Sequence, residues 1–173
     1  MASRPLPHGL LDTTLGFHLA RASVLTDAAF ERWVGRPHQL RKVDYSLLMI
    51  LADRGHLAPK QIIGLLSLTA PKLSMVMERM QQRGLIGRSP DPADRRSVQV
   101  ALTPQGLRMA QTLGPAAQRM EQALRKRLSS ADHAALIRML RQLTDGSDGN
   151  PPAQRSPDSP TGSRAGRTRC TLR

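Results

Sequence analysis

A mainly α fold with a small antiparallel β wing, a winged helix-turn-helix flanked by long N- and C-terminal helices, is predicted by three observations. Leu73, Val76, Met77 and Met80 recur at i, i+3, i+4 and i+7, one stripe of a helix over residues 69 to 83 that Gly84 stops. Two runs of extended character, 85 to 90 and 97 to 102, bracket Asp91-Pro92-Ala93-Asp94-Arg95-Arg96, whose composition is that of a hairpin tip. Thr103-Pro104 then opens another helix, a cap followed by a proline whose missing N–H has no helical partner to lose. Helix, short strand, cationic turn and return strand together set a reading helix in one DNA groove and a basic tip beside it.

The remaining elements follow in order. Residues 1 to 9 carry Pro5, Pro7 and Gly9 and read as a flexible arm. From residue 10 to about 34, Leu11, Leu15, Leu19, Ala22, Leu25, Ala29 and Trp33 are spaced by three or four, so a long amphipathic helix is expected, ended by Gly35, Arg36 and Pro37. Asp44 is expected to cap a second helix reaching Arg54, which Gly55 ends. Residues 58 to 66 form a third helix, and Ser67-Leu68-Thr69 turn into the fourth, completing a helix-turn-helix.

Beyond the hairpin, residues 104 to about 128 place Leu107, Ala110, Leu113, Ala117, Met120, Leu124 and Leu128 at near-heptad spacing, a seam that invites a partner helix. Gly114-Pro115 is expected to kink or break it. A last helix starts at Ser129 or Ser130 and runs to about Leu143, with Leu136, Ile137, Leu140 and Leu143 facing inward. Packing of these terminal helices within one chain, or between two copies, satisfies the periodicity equally. Residues 144 to 173 are rich in Pro, Gly and Ser and are expected to be a disordered tail.

Composition narrows the function. The 173 residues hold 26 Lys and Arg against 13 Asp and Glu, a net charge of +13, which favours a polyanionic partner. Residues 1 to 143 hold 21 of those cations and 10 of the anions, so the basic character belongs to the folded part. Aromatics are only 2% of the chain, too few for the stacking platforms of single-strand binders, which favours double-stranded DNA. No apolar run approaches the ~20 residues that span a bilayer, and the N-terminus lacks the apolar core of a secretory signal; no membrane role is expected, and the chain is expected to be cytoplasmic. The lone Cys170 forms no internal disulfide, and the histidines at 8, 18, 38, 56 and 133 show no metal-ligand spacing. Neither a nucleophile–base–oxyanion constellation nor a phosphate-binding glycine loop is present, so no catalysis, metal or cofactor is expected.

With the apolar stripe of the fourth helix facing the core, its opposite face carries Lys72, Ser74, Met75, Glu78, Arg79 and Gln82, with Pro71 in the first turn. The candidate DNA-binding set is Pro71, Lys72, Ser74, Met75 and Arg79 from this helix and Asp94, Arg95 and Arg96 from the tip. Asp94 can fix the turn through backbone N–H groups or a neighbouring arginine, leaving an arginine to project toward the negative potential of a minor groove.

These residues, and above all DPADRR followed by LTPQG, resemble the MarR family of bacterial transcriptional regulators over residues 10 to 143. The resemblance implies an obligate homodimer joined through terminal helices at about 10–34 and 104–143, with a DNA-binding lobe at about 44–103 reading half of a palindromic site. It also places Asp94 and Arg96 where the family stabilises its wing and enters the minor groove. The sequence departs from the family pattern at Met75, where members often carry arginine, and at Ile63, where a small residue is usual. Many members bind small aromatic or phenolic effectors between the dimer helices and the DNA-binding lobe; Phe17, His18, Tyr45 and Met49 are the candidates for such a pocket here. The expected function is a homodimeric repressor released by a small molecule. The competing reading is an architectural protein that coats nucleic acid without choosing sequence, and excess random duplex separates the two because only a coating protein is stripped by it.

Overall fold

The computed structural model describes residues 9–91 and 97–145; Asp94, Arg95 and Arg96 lie outside the described residues. Among the described residues the elements are a 3₁₀ turn Gly9–Thr13, helices α1 (Leu15–Phe30), α2 (Arg36–His38), α3 (Lys42–Arg54), α4 (Pro59–Leu66), α5 (Ala70–Gln82), α6 (Pro104–Arg125) and α7 (Ser130–Asp145), and strands β1 (His56–Leu57), β2 (Ile86–Pro90) and β3 (Val98–Leu102).

The first helix does not end at Gly35. A π-helical turn, Glu31–Gly35, joins α1 to α2, and the path continues through Pro37 until Gln39 adopts a left-handed conformation at φ 53°. A wide turn absorbs the hydrogen bond that a proline cannot donate, so the proline is accommodated in place of breaking the helix. The buried hydrophobic residues of this segment are Phe30 and Val34 rather than the expected stripe. Leu11, Leu15, Leu19 and Leu25 are exposed in the single chain, and only Ala29 and Trp33 of that stripe are partly sheltered.

Helix α3 is the centre of the core, with Leu47, Leu48 and Leu51 fully buried against Ile62, Leu73, Met80, Leu85, Val100 and Leu113 from the surrounding elements. Asp44 is not its N-cap. Helix α3 begins two residues earlier, so Asp44 falls in the first turn and its carboxylate reaches back to accept the Arg41 N–H at 3.1 Å. The helix-turn-helix of α4 and α5 packs on this core. The turn is fixed by Ser67 in a left-handed conformation and by the Leu68 N–H donating to the Ile63 carbonyl at 3.1 Å, with Ile63 itself partly buried against the core.

The wing is a three-stranded antiparallel sheet in the order β1-β3-β2. Strands β2 and β3 pair from Ile86↔Leu102 to Pro90↔Val98, and the Asp91 N–H extends the ladder by donating to Ser97. Pro90 sits on an outer strand, where its missing donor does not interrupt the sheet. The short β1, which has no sequence signature, pairs His56 with Ala101 and Leu57 with Val100. It ties the base of the wing to the end of α3.

Thr103 joins wing and helix α6. Its hydroxyl donates to the Gly84 carbonyl at 2.6 Å and accepts from the Gly106 N–H at 3.0 Å, while its own N–H donates to the Leu85 carbonyl at 3.1 Å. Gly106 lies so close to that strand that a β-carbon there would stand 1.9 Å from the Leu85 carbonyl oxygen. Helix α6 then runs through Pro115 without the break that was one of the two outcomes expected there. Helix α7 starts from Ser129, whose hydroxyl accepts the Asp132 N–H at 3.1 Å. Leu136, Ile137, Leu140 and Leu143 do not face inward within the chain; all four are substantially exposed. None of the helices is long and apolar enough among the described residues to cross a membrane.

Candidate nucleic-acid interface and effector cavity

Helix α5 turns the expected stripe inward: Leu73, Val76, Met77 and Met80 are buried. Pro71, Lys72, Ser74, Met75, Glu78 and Gln82 are exposed, and Met75 shows 64% of its surface. Pro71 occupies the first turn, as its lack of an N–H permits. The exposed face therefore presents one cation, one hydroxyl and one long apolar side chain within its first two turns, a mixture able to contact phosphate, a base edge and a thymine methyl.

Arg79 is placed differently from the rest of that set. Its guanidinium turns back to Asp44, with Nε 3.3 Å from Oδ2 and Nη2 in closer contact with Oδ1. Asp44 is 1% exposed and Arg79 is partly buried. A buried carboxylate is costly without compensating donors, and the paired arginine and the Arg41 N–H supply them. Arg79 therefore anchors the reading helix to α3 and does not project with Lys72 and Met75. Arg83, one turn further on, donates to the Gln39 carbonyl at 2.7 Å and the His38 carbonyl at 3.2 Å, so it caps the end of the long N-terminal helical path.

The four candidates for an effector pocket separate. Phe17 and His18 lie near the start of α1, edge to face at 5.6 Å, with His18 Nε2 2.8 Å from the Asp12 carbonyl oxygen. Neither lines a cavity with Tyr45. Met49 packs on the core. Tyr45, partly buried, borders two adjoining cavities. One, of about 210 Å³, lies between α1, α3 and α6 and is lined by Thr26, Phe30, Lys42, Tyr45, Ser46, Met120 and Leu124. The other, of about 400 Å³, runs along α6 past Gln118, Glu121 and Arg125. Burial and, secondarily, the negative charge of Glu121 push the Tyr45 phenol above its ordinary pKa, so it remains a hydrogen-bond donor at neutral pH. Lys42, Thr26, Ser46 and Glu121 carried no sequence signal for this place, because they converge from three helices separated by up to 95 positions.

A third, larger cleft of about 580 Å³ lies between α1, α6 and α7, walled by Leu25, Trp33, Leu124, Leu136, Ile137 and Leu140. At its edge His133 Nε2 meets Glu121 Oε1 at 2.6 Å. Among the described residues no group of three or more His, Cys, Asp or Glu is arranged to hold a metal ion.

Comparison with known proteins agrees with this architecture. Residues 40–98, which span α3 to the start of β3, match the model of the MarR family. The transcriptional repressor NicR of Pseudomonas putida is 28% identical over 146 residues, covering 83% of this chain and 92% of its own. A probable transcriptional regulator from Pseudomonas aeruginosa is 31% identical with a TM-score of 0.69, covering 77% of this chain and 98% of that one. Bordetella bronchiseptica BpsR, whose DNA binding is regulated by 6-hydroxynicotinic acid, is 27% identical with a TM-score of 0.73, covering 82% of this chain and all of that one. With its stripe-in, polar-out reading helix, three-stranded wing and long terminal helices, the chain belongs to the MarR family of DNA-binding, winged helix-turn-helix transcriptional regulators.

Proposed function

We propose that the chain is a homodimeric repressor that reads a palindromic operator and leaves it when a small aromatic molecule binds beside Tyr45. The observation that carries the reading is the exposed first half of α5, where Lys72, Ser74 and Met75 stand out over a fully buried apolar stripe. Pro71, Lys72, Ser74 and Met75 contact the major groove in this reading, Asp94 fixes the tip of the wing, and Arg95 and Arg96 enter the adjacent minor groove. The lobe at about 44–103 then reads DNA, and residues 10–34 and 104–143 join two copies. The exposed leucines of α1 and α7 on either side of the 580 Å³ cleft support this division, since a second copy would remove them from water.

Repression is supported by the relative NicR, a repressor, and ligand release by BpsR, whose DNA binding 6-hydroxynicotinic acid regulates. Selection of genomic fragments by the purified chain, followed by anisotropy titration, tests the reading. Half-sites about one helical turn apart, with binding that survives excess random duplex, are expected. Fragments without two-fold symmetry, or complexes that random duplex strips away, would refute it.

A further inference from the structure

Helix α5 turns every large apolar side chain but one into the core. Leu73, Val76, Met77 and Met80 are buried, while Met75 shows 64% of its surface to water. Among the described residues of the lobe at 44–103 the other exposed large apolar side chains, Leu65 and Val98, each show 42%. Met75 takes no part in the hydrophobic core, so packing does not account for a long thioether chain in the middle of a polar face.

The side chains around it narrow what that face can read. Pro71 and Lys72, one turn earlier, and Ser74 beside it are exposed and lie in the part of a reading helix that approaches base edges. Arg79, one turn later, is drawn back to Asp44, and the exposed Glu78 is an acceptor 3.5 Å from the Gln82 amide nitrogen. The middle of the face thus holds no guanidinium to bond O6 and N7 of a guanine, the commonest specific contact to DNA. It holds an apolar chain instead. Residues 44 to 103 carry eight Lys and Arg against five Asp and Glu, so phosphate attraction brings a duplex to this lobe, and Met75 then meets the base edge in front of it.

We infer that Met75 reads the C5-methyl group of a thymine in the major groove, one in each half-site, and that the operator of this chain carries thymine there in preference to guanine. The inference rests on the reading of α5 as the helix that contacts DNA. The thymine methyl is the one apolar group that base pairs present in the major groove, and packing it against the thioether takes apolar surface of both out of water. Other bases lose by the same contact, because the N4 amino group of a cytosine or the N7 acceptor of a purine is stripped of water and given no partner. Attraction to one base and a penalty against the rest together make the preference. An unbranched, polarizable side chain suits the task, since it follows the contour of a base edge without a fixed rotamer.

The test uses the full chain and duplexes selected from a random-sequence pool. A chain that enriches no sequence is not a sequence-reading regulator, and the inference falls with that reading. In an enriched site each thymine in turn is replaced by deoxyuridine, which lacks only the methyl, in both half-sites at once. At one thymine per half-site the affinity should fall about 10- to 20-fold, the product of about fourfold for each methyl-sized group returned to water. Met75→Ala should bind the thymine duplex more weakly and lose its sensitivity to deoxyuridine at that position alone. Its thermal melt should match the parent, because the side chain lies outside the core, and its slope of log affinity against log salt should be unchanged, because no phosphate contact is removed. Met75→Arg, selected afresh on the same pool, should enrich guanine at that position. A half-site without thymine, deoxyuridine without effect at every thymine, or a Met75→Ala chain as sensitive to it as the parent would overturn the inference and leave the regulator reading standing.

Discussion

Arg79 of the reading helix and the buried Asp44 of α3, 35 positions apart in sequence, form the ion pair that fixes how α5 sits on the core. Removal of either partner leaves the other in a place built for both, and the carboxylate is the more deeply buried of the two. Replacing Arg79 by methionine should cost about 3 kcal/mol, the low end for breaking a buried pair because the arginine is partly exposed. Urea unfolding measures it. Combining Arg79→Met with Asp44→Leu should recover part of the loss, whereas additive losses would show that the two side chains act independently.

Gly106 tests the wing. A methyl group in place of its hydrogen would overlap the Leu85 carbonyl oxygen, so β2 and α6 must separate to admit it. Gly106→Ala is expected to lower stability by about 1–3 kcal/mol despite alanine's better helix propensity. A thermal melt unchanged from the parent would contradict this packing.

Tyr45 is the only tyrosine of the chain, so its ionisation is read directly by ultraviolet absorbance. Burial first and Glu121 second raise its pKa, and the titration should therefore run later than that of free tyrosine. Glu121→Gln should lower the midpoint only in part, because burial is the larger cause. The sign for stability follows from the native state holding this proton longer than the unfolded one. The contribution is intact below the ordinary tyrosine pKa and is lost as pH rises through the folded value. Tyr45→Phe should remove that alkaline loss.

Lys72 and Arg96 should separate two kinds of DNA contact. If Lys72 meets a phosphate, Lys72→Ala weakens binding evenly across sequences and reduces the slope of log affinity against log salt by about one. If Arg96 enters a minor groove, Arg96→Ala weakens operator binding by about 1–3 kcal/mol and relaxes the preference for a narrow groove. A dissociation constant unchanged at fixed salt would remove either residue from the interface.

The parts of the fold that the sequence announced are those set by local pattern. The stripe Leu73-Val76-Met77-Met80, the stop at Gly84 and the Thr103-Pro104 start each depend on residues within one or two turns; α5, β2 and β3 lie within one residue of expectation at each end, and α6 starts where expected and ends three residues early. The misses depend on partners far along the chain. Strand β1 exists because Ala101 and Val100 pair with His56 and Leu57, and two residues carry no period of their own. Arg79 falls on the outer face by helical arithmetic, yet its long side chain reaches Asp44. Pro37 looked like a stop and Pro115 like a kink or a break; a π turn absorbs the first, and α6 runs through the second without a break. Of the candidate site, the exposed face of α5 was legible from the same stripe. Of the pocket residues named in advance, Tyr45 lines both cavities beside α3, and its neighbours Thr26, Lys42 and Glu121 become visible only when three helices are assembled.

Trp33, in the wall of the cleft between α1, α6 and α7, is the single tryptophan of the chain and lies 5.0 Å beneath the Arg32 guanidinium. The molecule thus carries its own fluorophore at the surface where a second copy is proposed to pack, far along the chain from the wing. Emission from that ring responds to the water around it, so a dilution series follows assembly without a label, while a dye on the DNA follows occupancy of the operator. Assembly and operator binding become two separate optical channels in one solution.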